Sequence, residues 1–415
     1  MTPSPHSYLF RNLQLLDPRF DEARGGYEVL TEGGRIKEVS DRPIAATNAQ
    51  RIDCGGRTLM PGLIDCHVHV YLSEVNVSLL EQMPVSLLAA RAAPLMLGML
   101  NRGFTTVRDT GGADWGIKEA VEKGFLAGPR LFISGRAIGP TGGHTDMRRR
   151  TDHHAGCRCC HGLGFTMAIA DGADGVRKVV REELRQGADQ IKIMVSGGVA
   201  SPYDPLDSRQ FSLAEIAAAV EEATAFKRYV LAHAYTAEAI TRAVSQGVRT
   251  IEHGNLIDTD AARLMAEQGA YLVANLVAYH VMKERAAQFG MNADKLEKNE
   301  LVLRGALESL EICRKAGVKV GFGSDLLGQL QDEQSREFLL RAAVARPIEI
   351  IRSATTIGAE IVRMQGKLGI IEAGAFADLL VVDGDPLRDL GLFQDQGAHL
   401  SVIMKDGRCH KNRLA

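Results

Sequence analysis

Short apolar segments alternate with amphipathic segments from Pro61 to about residue 365, and this alternation limits the possible folds more than any other feature. Apolar and β-branched residues mark eight candidate strands, at residues 63–70, 104–109, 130–138, 190–196, 229–235, 249–254, 271–277 and 318–324. Helical periodicity fills the gaps, as at residues 175–186, 213–226 and 237–246. Eight strand-helix units over about 300 residues predict an α/β chain with a (β/α)8 TIM barrel, for which about 250 residues is typical.

The two ends of the chain predict a second, smaller domain. Residues 1–60 and 366–415 contain short strand patterns separated by Gly-Gly, Asp-Gly and Gly-Asp-Pro turns. We therefore predict that these ends pair into a small β-sandwich domain, while residues 61–365 form the barrel. A doubly wound open sheet is the alternative. It is weaker, because no Gly-x-Gly-x-x-Gly turn follows an early strand.

Charge and composition argue against several classes of partner. The 415 residues carry a formal net charge of -2, which gives no basis for binding nucleic acid or an anionic membrane. No apolar stretch reaches the roughly 20 residues that a membrane span needs, and no signal-peptide pattern begins the sequence. Seven cysteines, four of them widely separated, indicate reduced thiols. We expect a cytoplasmic protein that acts on a small molecule, and the sequence leaves association into a homo-oligomer open.

Four histidines and an aspartate occur at the carboxyl ends of predicted strands, and a lysine lies between apolar neighbours within the fourth strand. In chain order they are His67, His69, Lys192, His233, His253 and Asp325. His67 and His69 lie two residues apart in a strand, so they project from the same face. In a barrel the carboxyl ends of all strands meet at one mouth, where the active site lies. Because buried polar groups cost free energy unless they are satisfied, the joint occurrence of this set favours a metal site.

Each of these residues also has a structural explanation when it is considered alone. His233 could be a hydrogen-bonded core histidine, Asp325 could cap the next helix, and Lys192 could extend its amine towards solvent. By strand alternation Glu252 should face away from His253, as a structural partner. The metal site is favoured because these structural explanations would all have to apply at once.

Seven motifs extend over almost the whole chain. They are Pro-Gly-Leu-Ile-Asp-Cys-His-Val-His at 61–69, Gly-Gly-His at 142–144, Lys-Ile-Met-Val-Ser-Gly-Gly at 192–198, Ala-His-Ala-Tyr-Thr at 232–236, Ile-Glu-His-Gly-Asn at 251–255, Gly-Ser-Asp at 323–325 and Gly-Ala-Phe-Ala-Asp-Leu at 374–379. In these motifs the chain resembles the amidohydrolase superfamily, and within it the imidazolonepropionase-like branch that includes Xaa-Pro dipeptidases. The ordered set is specific for the superfamily and less specific for a substrate.

The resemblance implies a centre of two divalent metal ions, with zinc as the expected metal. The ligands it implies are His67, His69 and Asp325 for the more buried ion and His233 and His253 for the other. Lys192 would bridge the two ions as a carboxylated lysine, because an ammonium beside two dications would be strongly repelled.

The resemblance also implies the reaction. A water molecule between the two ions would lose a proton and attack the substrate carbonyl. Asp325 would accept that proton and pass it to the leaving amine. His144 and Tyr235 are the candidates for stabilising the oxyanion, and packing at the barrel rim is the alternative for Tyr235.

Two loops are candidates for substrate recognition. In residues 201–209, Tyr203 and Arg209 could bind a substrate carboxylate, although solvated loop residues would look the same. The second loop carries arginines at 148–150 and a Cys/His cluster at 157–161. This cluster has a single cysteine pair at zinc-like spacing, so we interpret the loop as a lid rather than a second zinc site.

The predicted activity is hydrolysis of an amide bond in a dipeptide or an N-acyl amino acid whose C-terminal residue is proline or another apolar residue. The alternatives are a single-metal enzyme that opens a cyclic amide, as imidazolonepropionase does, a lactonase, and a metal-free scaffold. Lys192 argues against a single metal, which needs no bridge. The presence of every expected ligand argues against the scaffold.

Overall fold

The computed structural model describes residues 7–148, 167–201, 203–289 and 293–414, and it shows a mixed α/β chain. The N-terminal region contains only strands: β1 (Ser7–Leu15), β2 (Arg24–Glu32), β3 (Arg35–Ser40), β4 (Gln50–Asp53) and β5 (Thr58–Pro61). Glycine turns such as the one at Gly33, where φ is +59°, connect them.

The middle of the chain supplies parallel strands. They are β6 (Leu63–Val68), β7 (Phe104–Asp109), β8 (Arg130–Ile133), β9 (Ala137–Gly139), β10 (Met167–Ile169), β11 (Ile191–Met194), β12 (Val230–Thr236), β13 (Thr250–Leu256), β14 (Tyr271–Ala274) and β15 (Val320–Phe322). One sheet has the order β6-β7-β8, and a seven-stranded sheet has the order β10-β9-β11-β12-β13-β14-β15. The strands follow one another in chain order except that β10 lies on the outer side of β9. The Asp325 N–H, just after β15, donates to the His67 carbonyl at 2.9 Å. The last strand thus returns to the first, which is the order of a (β/α)8 barrel.

All eight predicted strands are present in this region, and the third of them is divided into β8 and β9. The strands β6, β7 and β11 are buried along their whole length. Burial on both faces is typical of parallel sheets that helices cover. Charged residues inside such strands therefore need a partner or a function.

Strands from both ends of the chain pair in a single eight-stranded sheet. After the barrel come β16 (Leu379–Val382), β17 (Leu400–Lys405) and β18 (Arg408–Asn412). The order is β18-β17-β16-β5-β1-β2-β3, with β4 beside β1, and β16 runs antiparallel to β5. All of these pairings belong to one sheet. The description of this unit as a β-sandwich, and the domain boundaries at residues 60 and 365, stay predictions.

Helices separate the barrel strands. They are α1 (Val85–Asn101), α2 (Trp115–Glu122), α3 (Gly172–Arg185), α4 (Leu213–Ala225), α5 (Ala237–Ser245), α6 (Thr259–Glu267), α7 (Leu276–Arg285), α8 (Ala293–Ala316), α9 (Arg336–Arg341), α10 (Pro347–Ser353) and α11 (Thr356–Ile361). The predicted helices at 175–186, 213–226 and 237–246 correspond to α3, α4 and α5. A capping box between Ser212 and Glu215 fixes the start of α4. Within the described ranges, no helix combines the length and apolar character that crossing a bilayer requires.

Candidate active site

The side chains predicted from the strand ends line one cavity of about 240 Å³. These lining residues are His67, His69, Lys192, His233, His253 and Asp325. The Oδ1 atom of Asp325 lies 3.3 Å from Nε2 of His67 and 3.2 Å from Nε2 of His69. The His253 ring centroid lies 5.1 Å from that of His67 and 4.5 Å from that of His233. The structure thus brings the six residues together, and their assignment as ligands stays a prediction.

Three of the imidazoles have one ring nitrogen fixed by an acceptor. Nδ1 of His67 donates to Glu252 at 2.7 Å, and Nδ1 of His69 donates to the carbonyl of Gly111 at 2.8 Å. Nε2 of His233 donates to the Gly197 carbonyl at 3.0 Å. A contact of this kind leaves the other nitrogen of each ring for a metal ion, which is the arrangement of metal-ligating histidines. Donor atoms of His67, His253 and Asp325 also lie within 4.8 Å of one another, close enough to hold a metal ion.

Glu252 was predicted to be a structural partner, which agrees with its contacts, but the prediction that it faces away from His253 is wrong. Its carboxylate contacts His67 from inside the barrel, and His253 in the next position also lines the cavity. Regular alternation fails here because His253 has a φ of +75° and the register between β12 and β13 shifts. Such an irregularity turns two consecutive side chains to one face.

Glu252 also pairs with a buried arginine that the sequence analysis did not identify. Nη2 of Arg108 donates to both Glu252 oxygens, at 2.7 and 2.8 Å, and both side chains are fully buried. Burial acts to raise the pKa of Glu252, but Arg108 and His67 outweigh it and hold that pKa well below its usual range. An ionised Glu252 therefore orients His67. Arg108 could have been identified from the sequence, because the predicted strand at 104–109 has no charged residue before it.

Two charged residues on the cavity floor have shifted pKa values. Burial lowers the pKa of Lys192 to about 8, although Glu252 and Asp325 act in the opposite direction. Burial acts to raise the pKa of Asp325. The opposite effect of His67 and His69 is larger and holds that pKa well below its usual value. Asp325 is thus ionised at neutral pH and able to accept a proton, while neutral Lys192 is accessible near neutral pH.

His144, predicted from the loop after β9, lies against the histidine cluster. Its ring stacks on His233 with centroids 4.4 Å apart, and its Nδ1 lies 2.7 Å from the hydroxyl of Ser201. Burial lowers the pKa of His144 to about 4, with Asp204 opposing this shift. Neutral His144 can donate one hydrogen bond into the cavity or to Ser201, depending on its tautomer.

Tyr235 and a second tyrosine form a hydrogen-bonded chain to His253. The hydroxyl of Tyr235 lies 2.9 Å from that of Tyr279, which lies 2.9 Å from Nδ1 of His253. The Tyr235 ring also stacks on His253 at 5.0 Å. Tyr279 comes from α7, and sequence reasoning missed it because no strand-end rule applies to a helix.

The predicted carboxylate-binding pair does not line the cavity in the described part of the chain. Arg209 forms an exposed ion pair with Glu238 at 2.6 Å, and Tyr203 is 47% exposed. Their predicted role finds no support in this geometry. Arg148 pairs with Asp146 at 2.6 Å, whereas the other two arginines and the Cys157–His161 cluster lie outside the described residues.

The walls of the cavity are mostly apolar. They include Leu72, Val75, Val77, Met147, Met167, Met194, Val199, Met282, Leu326, Leu327 and Leu330. Four of these are methionines, whose flexible side chains adapt to apolar groups of different shape. A polar floor below apolar walls is typical of a pocket for a small molecule.

Known proteins share both the sequence and the fold. The model of the amidohydrolase family matches residues 58–409, so the chain belongs to that family. An amidohydrolase of known crystal structure is 52% identical, with a TM-score of 0.96 over 99% of this chain and 100% of that one. A prolidase in complex with N-methylphosphonate-L-proline is 50% identical, with a TM-score of 0.95 over 98% of this chain and 100% of that one. Ochratoxinase from Aspergillus niger is 29% identical over 374 residues, 85% of this chain and 75% of its own.

These likenesses confirm the predicted membership of the amidohydrolase superfamily and the prolidase-type character of the chain. The protein is a hydrolase that acts on amide or peptide bonds.

Proposed function

We propose that this amidohydrolase cleaves a dipeptide or an N-acyl amino acid whose C-terminal residue is proline or another apolar residue. The observation that carries the proposal is the apolar cavity whose floor is formed by His67, His253 and Asp325. The likeness to a prolidase in complex with a proline phosphonate supports proline as the C-terminal residue. The methionines in the wall would tolerate different acyl groups.

Two divalent metal ions, with zinc as the expected metal, fit the donor set in this cavity. His67, His69 and Asp325 would hold one ion, and His233 and His253 would hold the other. The contacts of His67, His69 and His233 with oxygen acceptors support this assignment, because each uses one ring nitrogen and leaves the other for a cation. Bound there, the ions would lower the pKa of a water molecule and polarise the substrate carbonyl.

Lys192 would act as the bridging ligand after carboxylation. A neutral amine reacts with carbon dioxide to form a carbamate and release a proton, which converts a cationic side chain into an anionic oxygen donor. The side chain of Lys192 is 2% exposed and lies in the same cavity as the four histidines. Its burial favours the neutral amine that this reaction requires.

The chain's own residues would move the protons. Ionised Asp325 would accept a proton from the attacking water and deliver it to the leaving amine. His144 and Tyr235 would donate hydrogen bonds to the oxyanion of the tetrahedral intermediate. The contact between Tyr235 and Tyr279 supports this role, because it fixes the hydroxyl beside the histidine cluster.

A hydrolysis screen over a dipeptide library tests the proposal. The library varies both positions, and N-acyl amino acids, cyclic amides and lactones are included as controls. We expect the highest kcat/KM for dipeptides with a C-terminal proline or apolar residue. Preferred opening of a cyclic amide or a lactone would contradict the proposal.

Metal analysis of the purified protein separates the competing mechanisms. We expect two equivalents of zinc per chain. One equivalent would support a single-metal enzyme, and the absence of zinc would support a non-catalytic scaffold. A Lys192→Ala variant should lose the second equivalent, because the bridge between the ions is gone. Full retention of two equivalents in that variant would exclude Lys192 as a ligand.

A further inference from the structure

A lysine lies in the wall of the cavity, outside the histidine cluster. Lys295, in the first turn of α8, lines the same cavity as His67 and Asp325. Among the described lining residues outside the cluster of histidines, Lys192 and Asp325, it is the one with a basic side chain. The same cavity is lined by many apolar side chains, among them Met282 and Val199. A charge in such a wall selects for a ligand of opposite charge.

Contacts one turn further along α8 fix the position of Lys295. Nζ of Lys298 donates to the carbonyl of Asp204 at 3.0 Å, and Nδ2 of Asn299 donates to the carbonyl of Tyr279 at 3.0 Å. Residues three and four apart share one face of a helix, so Lys295 lies on the face that these two contacts hold against the barrel mouth. The lysine is therefore placed by a packed helix rather than by a solvated loop.

The surroundings of Lys295 favour an anionic ligand. The side chain is half-buried, and burial together with Lys298 lowers its pKa, which Asp294 opposes in part. A carboxylate that entered the cavity would favour the charged form of the amine and gain a charge-assisted hydrogen bond. In a dipeptide or N-acyl amino acid, the terminal carboxylate is the anionic group next to the scissile amide.

We propose that Lys295 binds the terminal carboxylate of the substrate and thereby restricts the enzyme to substrates with a free carboxyl end. This inference rests on the proposed function, because it names the group that a dipeptide or N-acyl amino acid presents to the wall. It assigns to α8 the recognition that the sequence pattern suggested for Tyr203 and Arg209. Lys295 is a binding residue in this proposal and takes no part in proton transfer.

The test compares a dipeptide that ends in proline with the same dipeptide as its C-terminal amide. The amide has nearly the same shape and lacks the negative charge of the carboxylate. The variants are Lys295→Met, which keeps an apolar stem, and Lys295→Arg, which keeps the charge. Lys315→Met on the same helix is the matched control, because Lys315 is exposed and pairs with Glu311.

The wild type should prefer the acid. Lys295→Met should lower kcat/KM for the acid by about 10- to 100-fold, mainly through KM, because it removes one partner of a partly desolvated charge pair. Hydrolysis of the amide should be unchanged, which also shows that the variant is folded. Lys295→Arg should restore part of the preference, and Lys315→Met should behave as the wild type.

Four results would overturn the inference. A wild-type kcat/KM for the acid in Lys295→Met, or equal hydrolysis of acid and amide by the wild type, would refute carboxylate recognition and leave the dipeptidase activity intact. Equal loss on both substrates would assign Lys295 a structural role. If the metal-loaded wild type cleaves neither substrate, the proposed function fails, and the inference fails with it.

Discussion

The substitution Glu252→Gln tests whether the buried ion pair beneath the site supports both the fold and the histidine cluster. The change keeps the size of the side chain and removes its charge. Arg108 then keeps a buried positive charge without the carboxylate that accepts its two hydrogen bonds. His67 loses an ionised acceptor at 2.7 Å and keeps a neutral amide in its place.

Burial sets the expected size of the effect. Glu252 and Arg108 are both 0% exposed, so water cannot solvate the charge that remains. Removing one partner of a buried ion pair costs about 3–5 kcal/mol. Loss of the hydrogen bond that orients a metal-ligating histidine lowers metal affinity by about 10- to 100-fold.

Urea unfolding and zinc titration measure the two effects separately. We expect Glu252→Gln to lower the apparent free energy of unfolding by about 3–5 kcal/mol. Glu238→Gln is the matched control, since its partner Arg209 is 67% exposed and Glu238 itself is 53% exposed. This control should change the free energy of unfolding by less than about 1 kcal/mol.

A double variant separates the ion pair from other effects of the substitution. Arg108→Met combined with Glu252→Gln removes both charges, so it should lose less stability than the sum of the two single variants. Strict additivity, or a Glu252→Gln protein within about 1 kcal/mol of the wild type, would refute the reasoning from buried charge.

Three further predictions concern the site. Asp325→Asn should keep the far-UV circular dichroism spectrum and lower kcat by about 100- to 10,000-fold, and wild-type rates would exclude proton transfer by Asp325. Tyr279→Phe should lower kcat/KM by about three- to tenfold, because it loses a hydrogen bond worth about 1 kcal/mol to Tyr235 or His253. Unchanged kinetics would show that the Tyr279 hydroxyl has no role in the reaction. The folded-state pKa of Glu252 lies below its ordinary value of 4.5, so its stabilisation is present above pH 4.5 and is lost as the pH falls towards the folded-state pKa. The stability difference between wild type and Glu252→Gln should therefore shrink below pH 4.5 in urea titrations, and a constant difference would contradict this linkage.

The strand-end rule recovered the histidine cluster from the sequence because it depends on local patterns alone. An apolar strand that ends in His67 and His69 presents both rings to the same side in any barrel. The rule failed at Glu252, since the positive φ of His253 interrupts the alternation that the prediction assumed. A local irregularity of this kind leaves little trace in residue order, because the same letters can form a regular strand.

Cavity residues outside the cluster were harder to predict. Tyr203 and Arg209 were chosen because they belong to a loop at the mouth, yet Arg209 pairs with Glu238 at the surface. Lys295 and Tyr279 line the cavity from helices, and which face of a helix turns to the mouth depends on its packing against other elements.

The sequence by itself determined the alternation of strands and helices, and with it the arrangement of His67, His69 and Asp325 at one end of parallel strands, because strand period and strand direction are local properties. The tertiary structure alone decided that Glu252 turns inward to Arg108 and that α8 places Lys295 in the cavity wall. Those contacts join segments far apart in the chain, and their free energy depends on burial that exists only after the barrel has formed.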